Sequence, residues 1–346
     1  MSDSADFKRA APTTPRVDVA MVAYRGWEFT RDCLQRLRTQ TIPHTIVLCD
    51  NGCDQDTSGR ARTMFPEVRV IRMQRNMTCA VAFNAAVAAG DGEVVVIMNN
   101  DVQPRPDFLE RLCMPFATRP RLGSMAPLLL RPGEREVDSL GLAADATLAA
   151  FPRFKRRPVA EVYGDGPVLV GPDGTTAAFR RSAWEQARGL DESILAYLED
   201  FDLALRLRVA GWETDVALDA VAVHLGSATF GHRSSDQRYK SGHARAYYLR
   251  RYGVLRSRSA LRALATEALV MAGDAFLSHD GAASLGRLAG WRAAGGHARL
   301  SRPPGGAVDE RIGFFESLRL RRNTYMSPPS AGTIDDANLG RAGSSI

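Results

Sequence analysis

Asn99, Asn100 and Asp101 follow an apolar run. A carboxylate just past a buried strand, in an Asn-rich turn, can hold a divalent cation while the amides meet ribose or phosphate oxygens. Asn and Asp are also ordinary turn residues, so the triplet alone equally fits a plain bend. A second cluster, Tyr197 to Asp202, carries Glu199, Asp200 and Asp202 at the start of a helix whose Phe201, Leu205 and Val209 recur every four residues and which stops at Gly211. Acidic residues suit a helix N-terminus through the macrodipole, and both uses fit together: Asp202 serves the helix while Asp200 faces a cleft. A lone carboxylate there suits general-base work on an attacking hydroxyl. His224 closes the apolar run Val216 to Val223 and reads either as a structural histidine or as a metal ligand. Asp173, Gly174 and Thr175 form either a strand-and-turn or the lining of an acceptor side.

These residues need a frame. Val17 to Tyr24, Thr45 to Asp50, Val68 to Arg72 and Val94 to Met98 are short β-branched runs, three of them nearly continuous, as for strands covered on both faces. Phe29, Cys33 and Leu37 define a helix face between the first two, and the Ala-rich segment Cys79 to Ala89 ends at Gly90. The alternation predicts an α/β fold with a mostly parallel central sheet flanked by helices. Polar residues gather where strands end (Tyr24-Arg25, Asp50-Asn51, Asn99 to Asp101), which is where ligands bind in open α/β sheets. Leu122 to Val170 reads as loops and a short β-region, Gly171 to Gly231 as a second organised block, and the chain beyond Gly242 as helical.

The chain has 346 residues, 45% hydrophobic and 24% charged, enough for a catalytic domain with an appendage. The five cysteines, odd in number and without CxxC spacing, read as reduced core thiols. Met1 to Arg16 lacks the apolar run of a signal peptide, so a cytoplasmic location is expected. Ala260 to Leu277 is interrupted by Glu267 and Asp274 and is too polar to span a bilayer. The net charge of +6 is concentrated late, at Arg245, Arg250, Arg251, Arg256, Arg258 and Arg262 and again at Arg319, Arg321 and Arg322. The basic, aromatic stretch Arg245 to Arg251 and the apolar stretch after it fit peripheral contact with an anionic membrane at its inner face. The α/β portion shows no basic-aromatic interleaving, which argues against a nucleic-acid partner.

In this order and setting, the blocks resemble glycosyltransferase family 2, whose catalytic domain has the GT-A fold. The pieces are Val17 to Tyr24, Val47 to Cys53, Arg75-Asn76 through Asn84, Ile97 to Asp101, Gly174 to Arg181, Gly189 to Glu192, Tyr197 to Arg206, Ala210 to Trp212, and His224 to Gly231. The resemblance implies a GT-A domain at 16–255, while composition and pattern predict a flexible segment at 1–15, a helical region at 256–326 and a disordered tail at 327–346. It implies an inverting transfer of a sugar from a nucleotide diphosphate donor to a hydroxyl of a glycan or lipid-linked acceptor, with Mg²⁺ or Mn²⁺. Asp50 would accept a hydrogen bond from the donor's pyrimidine and Asn100 would sit near its ribose, with Tyr24 and Asn84 on the same donor side. Asp101 and His224 would hold the metal, Asp200 would be the base supported by Glu199, and Asp173, Gly174 and Thr175 would face the acceptor. The sequence departs from the family's pattern at Asn99, where the metal motif often begins with Asp, and at Thr78, where Gly is usual. The blocks are similar to those of bacterial enzymes that add deoxyhexoses such as rhamnose to surface and cell-wall polysaccharides.

One carboxylate suffices for such a transfer, because a bound cation stabilises the departing diphosphate without a proton donor. Two other readings use the same residues. A metal-dependent nucleotidyltransferase would carry a Gly-rich basic loop after the first strand, where this chain has only Tyr24 to Trp27. A non-catalytic relative that binds a nucleotide-sugar is consistent with Asn99.

Overall fold

The computed structural model describes residues 14–53, 56–226 and 234–325. The expected tail at 327–346, nearly all of the expected lead-in at 1–15 and the Ser227 to Gly231 portion of the last sequence block lie outside the described residues.

The first half alternates strands and helices as its apolar runs require: β1 (Val17–Ala23), α1 (Trp27–Leu37), β2 (His44–Asp50), α2 (Thr57–Met64), β3 (Arg69–Arg72), α3 (Cys79–Ala88) and β4 (Val94–Asn99). β1 shows why these runs are continuous. Val17, Val19 and Met21 enter one core while Ala20 and Val22 enter the core on the other face, so an apolar residue is needed at every position. The exception, Asp18, accepts from Gly92 N (2.6 Å) and Arg181 Nη2 (2.7 Å).

The chain continues with β5 (Val102–Pro104), α4 (Phe108–Cys113), α5 (Pro115–Thr118), β6 (Leu122–Leu130), β7 (Val137–Ser139), β8 (Leu142–Ala144), β9 (Ala150–Pro152), β10 (Thr176–Arg180), α6 (Arg181–Ala187), α7 (Glu199–Val209) and β11 (Glu213–His224). The nine-stranded sheet has the order β3-β2-β1-β4-β10-β6-β11-β5, with β7 paired to β6 off this path. β1 to β4 pair in parallel, but β10 lies antiparallel between β4 and β6, and β5 is antiparallel to β11. The sheet is therefore parallel in its first half and mixed beyond it, where β6 and β11 still pair in parallel, as the expected mostly parallel central sheet requires. Thr175 O, just before β10, accepts from Asn99 N at the end of β4, so the chain enters β10 at the strand end where β4 finishes and runs back along it. The stretch expected as loops also supplies β6, nine residues buried throughout, whose pattern is blurred by Gly123 and Pro127.

Four further helices follow: α8 (Ser235–Arg251), α9 (Ala260–Ser278), α10 (Ala282–Ala293) and α11 (Phe314–Tyr325). α8 and α10 approach so closely that a Cβ on Gly286 would lie 2.0 Å from Tyr239 O. Phe201 of α7 stacks on Tyr248 of α8 (5.5 Å between centroids), in a core that also holds Val254 and Ala263. The start of α7 is thus braced by the C-terminal helices, and this core crosses residue 255.

The basic run expected to meet a membrane is corrected here. Arg245 is buried, with Nε 2.8 Å from Glu267 Oε1, and Arg287 and Arg321 reach the same carboxylate at 2.8 and 2.9 Å. Arg250 donates to Trp291 O (2.7 Å), and Arg251 donates to Ala298 O and lies 3.8 Å from Asp191. Linear charge density could not reveal partners so far along the chain. All five cysteines are free, and only Cys79 is not fully buried.

Candidate active site

Asp50 ends β2 and is fully buried. Its Oδ1 accepts from Cys53 N (2.9 Å), its Oδ2 from Ser58 Oγ (2.5 Å), and Arg72 Nε lies 3.8 Å away. Burial works to raise its pKa, yet the bonds from Ser58 and Cys53 and the charge of Arg72 hold it below the ordinary value. The carboxylate expected to meet a pyrimidine also organises the turn leading to α2. Gly52, at φ 75°, packs where a Cβ would stand 2.5 Å from the Arg75 carbonyl carbon. Asn51 completes the lock, its amide bonding Asn76 Oδ1 (3.1 Å), Met77 O (3.0 Å) and Met77 N (2.9 Å). Tyr24, partly exposed under the Arg25 guanidinium (5.1 Å to the ring centroid), follows β1 beside this rim. Asn84 does not present a free amide: Nδ2 donates to Leu190 O and Glu192 Oε1, and Oδ1 accepts from Leu190 N, all at 2.9 Å. It clamps the loop at 189–192.

After β4, Asn100 Nδ2 donates to Arg25 O and Thr30 Oγ1 (2.9 Å each) and pins the turn to the start of α1. The antiparallel register of β5 on β11 then sets His224 opposite Val102, with Leu225 N donating to Asp101 O at 3.0 Å. As a result His224 Nε2 lies 3.5 Å from Asp101 Oδ2. On the other side of the ring, His224 Nδ1 lies 2.8 Å from Asp138 Oδ2, and Lys155 Nζ donates to Asp138 Oδ1 at 3.0 Å. Burial works to lower the His224 pKa, but Asp101 and Asp138 outweigh it and push it up to about 10. Asp138, despite burial, is held well below the usual carboxylate range by His224 and Lys155.

The acidic cluster opens α7 from a strained approach, since Tyr197 and Leu198 have φ of 67° and 70°. Such non-glycine residues cost about 1–3 kcal/mol each and gather where a site over-determines the backbone. Here Tyr248 OH donates to Leu198 O at 2.8 Å. Asp200 Oδ1 accepts from Phe201 N and Oδ2 from Gly174 N, both at 2.7 Å. Asp173 Oδ1 accepts from Thr175 N (2.9 Å), and Thr175 O accepts from Asn99 N (2.9 Å). This short hydrogen-bonded path ties the end of β4 to the start of α7, so Asp101 and Asp200 meet at the same end of the sheet. Burial, then the charges of Glu199 and Asp173, push the Asp200 carboxyl up to about 8. Glu199 is also raised, by burial and Asp173, and its Oε2 has no hydrogen-bond partner among the described residues. Asp202 turns into the core, bonding Arg206 Nε (2.6 Å) and Tyr252 OH (2.8 Å).

Sequence reasoning missed Asp138 and Lys155, which lie in the stretch that looked like loops, and the position of Cys79. That thiol starts α3 close enough to Glu199 and Asp200 that their charges, after burial, raise its pKa. A divalent cation is chemically suited to Asp101 and His224: one carboxylate oxygen, one imidazole nitrogen, and a ring fixed from behind by Asp138. Among the described residues no group of three or more His, Cys, Asp or Glu forms a complete cage. The pair would therefore leave coordination positions for a ligand's own oxygens.

A parallel half-sheet joined to a mixed half, with carboxylates and a histidine gathered at the strand ends, defines the class as the GT-A fold. Known proteins agree with it. A mannosyltransferase from Pyrobaculum calidifontis, solved with GDP-mannose and Mn²⁺, is similar over 92% of this chain and 91% of its own, at TM-score 0.51 and 18% identity. GalNAc-T7, solved with UDP, GalNAc and Mn²⁺, matches at TM-score 0.54 and 13% identity over 83% of this chain and 56% of its own. At those identities the likeness concerns the fold. Residues 18–187 match the family model described as Glycosyl transferase family 2, so this segment is a domain of that family. In sequence it is 28% identical over 205 residues to the N-acetylglucosaminyl-diphospho-decaprenol L-rhamnosyltransferase of Mycobacterium tuberculosis, spanning 53% of this chain and 66% of that relative's length.

Proposed function

We propose that this protein is an inverting glycosyltransferase that moves a sugar from a nucleotide diphosphate donor to a hydroxyl of a glycan or lipid-linked acceptor in cell-surface polysaccharide synthesis. The observation that carries the reading is the path Asn99, Thr175, Gly174, Asp200, which sets a raised-pKa carboxylate beside the end of β4. Asp200 takes the acceptor hydroxyl's proton as that oxygen attacks the anomeric carbon. The bond to the diphosphate breaks on the opposite face, and the configuration inverts. A base with a pKa near working pH suits this step. Glu199 keeps negative charge beside Asp200 and sustains its basicity. The Asp173 to Thr175 turn orients Asp200 through the Gly174 N–H and borders the acceptor's approach. Asn100 and Tyr24 stand on the donor side, while Asp50 and Asn84 act there through the turn and loop that they hold. Asp101 and His224 would hold Mg²⁺ or Mn²⁺, which when bound stabilises charge on the leaving diphosphate. The likeness to the decaprenol-linked rhamnosyltransferase favours a dTDP- or UDP-sugar, dTDP-rhamnose among them, and a lipid-linked acceptor.

A lipid-linked acceptor is met at a membrane, and the contact we propose is the outer face of α9 on an anionic lipid surface at the cytoplasmic side. Among the described residues no helix is long and apolar enough to cross a bilayer. α9 is nevertheless built inside out. Its charged residues are paired inward, Arg262 with Asp145, Glu267 with three arginines and Asp274 with Arg238. Its exposed residues include Leu261, Leu264, Ala268, Leu269, Phe276 and Leu277, with Leu261 83% and Phe276 77% exposed. At 1.5 Å per residue this 19-residue helix offers an apolar stripe about 28 Å long. Arg256, Arg292 and Arg299, all exposed, flank it in the chain and match anionic headgroups.

Screening UDP-, dTDP- and GDP-sugars for metal-dependent donor hydrolysis tests the enzymatic reading. Turnover of one donor class is expected. Nucleotide-sugar binding with no turnover of any donor would leave a binding protein in place of an enzyme.

A further inference from the structure

We infer that Asp138, backed by Lys155, is a positioning residue that fixes the ring and tautomer of His224 so that Nε2 is aimed at the cation held with Asp101. The inference rests on the metal reading above and adds to it a residue that does not touch the metal. Asp138 sits in the three-residue strand β7, which pairs with the end of β6, while β6 pairs on its other side with β11. The sheet thereby sets Asp138 and His224 across β6 from one another, although 86 residues separate them in the chain. The contact is made at Nδ1, 2.8 Å from Asp138 Oδ2, and a carboxylate can only accept, so Nδ1 carries the proton. The ring's remaining nitrogen, Nε2, is the one on the side of Asp101, at 3.5 Å, and a cation bound there would take the place of its proton while Nδ1 keeps the one shared with Asp138.

Asp138 is itself restrained. Its side chain is only 11% exposed, and Oδ1 is held by Lys155 Nζ at 3.0 Å with Arg131 Nη1 at 4.0 Å. With both oxygens engaged it has no free edge with which to join the cation as a ligand. Lys155 balances its charge, so a buried carboxylate is kept in place at modest cost. A ligating histidine whose other nitrogen is held by a carboxylate is oriented before the ion arrives, and loss of that partner typically weakens metal binding about 10- to 100-fold. A purely structural ion pair would make a different prediction: stability would fall on its removal, and metal affinity would not.

The test titrates Mn²⁺ into the full chain with saturating UDP, following free Mn²⁺ by electron paramagnetic resonance. The proteins are wild type, Asp138→Ala, Asp138→Asn, His224→Ala and the double variant Asp138→Ala/His224→Ala, with urea unfolding run on each. About 10- to 100-fold weaker Mn²⁺ binding is expected for Asp138→Ala. A smaller loss is expected for Asp138→Asn, whose amide oxygen can still accept from Nδ1 and which guards against a variant that fails to fold. No further loss is expected when Asp138→Ala is added to His224→Ala. Wild-type Mn²⁺ affinity in both Asp138 variants would overturn the inference, as would an equal loss in the His224→Ala background, because Asp138 would then act without the ring. Failure of the wild type to bind Mn²⁺ at all would remove the metal reading and this inference with it.

Discussion

Asp200→Asn separates the base from everything else the cleft does. In the wild type, burial first and the charges of Glu199 and Asp173 next hold the Asp200 proton to about pH 8. Between the ordinary carboxylate value and about 8 the folded protein binds a proton that the unfolded chain has lost. The difference in protons bound, unfolded minus folded, is negative there, so stability declines as pH rises, by up to about 1.4 kcal/mol per pH unit for this one group. The contribution is whole below the unfolded value and gone above about 8. Activity must run the other way. Asp200 is therefore mostly protonated at neutral pH, and kcat/KM climbs as pH rises through its raised pKa. Asparagine cannot titrate and leaves Gly174 N–H or Phe201 N–H without an acceptor, a loss of about 1 kcal/mol. Urea unfolding and transfer kinetics from pH 5.5 to 8.5 would be measured on both proteins. The variant is expected to lose about 10²- to 10⁴-fold in kcat, to bind donor as before, and to show a flatter stability profile. Parallel stability profiles, or lost donor affinity with turnover retained, would refute the reasoning.

Three further outcomes follow from the packing. Gly52→Ala forces a side chain into left-handed backbone against Arg75 and Asn76; it is expected to destabilise the fold by about 1–3 kcal/mol in urea and to weaken nucleotide binding. Glu267→Gln leaves Arg245, Arg287 and Arg321 facing one another around a neutral amide, and a loss of about 3–5 kcal/mol is expected by chemical denaturation. Leu269→Glu with Phe276→Glu, both on the outer face of α9, should abolish low-salt co-sedimentation with anionic vesicles while solution turnover persists; unchanged sedimentation would exclude that face.

The parallel half of the fold was legible because β1, β2 and β4 carry nearly continuous apolar runs that feed the cores on both faces, and helix-spaced residues such as Cys33 and Leu37 lie between them. That Asp202 serves the helix was legible for a similar reason: residues two apart at a helix start point in different directions, and Asp202 turns inward to Arg206 and Tyr252. What escaped depends on long-range register. β5 is three residues ending in Pro104, too short to announce itself, yet its pairing is what brings Asp101 to His224. Asp138 carries no local signal, being one acid in a stretch of Gly, Pro and charge. Arg245 read as surface cation because its partner Glu267 lies a helix away. The hydrogen bonds by which Asp50 and Asn84 hold a turn and a loop at the rim reach partners that their local sequence does not announce.

The account stands on Asp101, His224 and Asp200 lining one cleft that takes a nucleoside diphosphate together with a cation. Calorimetric titration of UDP and dTDP, with Mn²⁺ and then with EDTA, addresses it directly. Binding that requires Mn²⁺, disappears in Asp101→Asn and persists in Asp200→Asn is the predicted result. Equal affinity with and without the metal, or an Asp101→Asn protein that binds like the wild type, would contradict it.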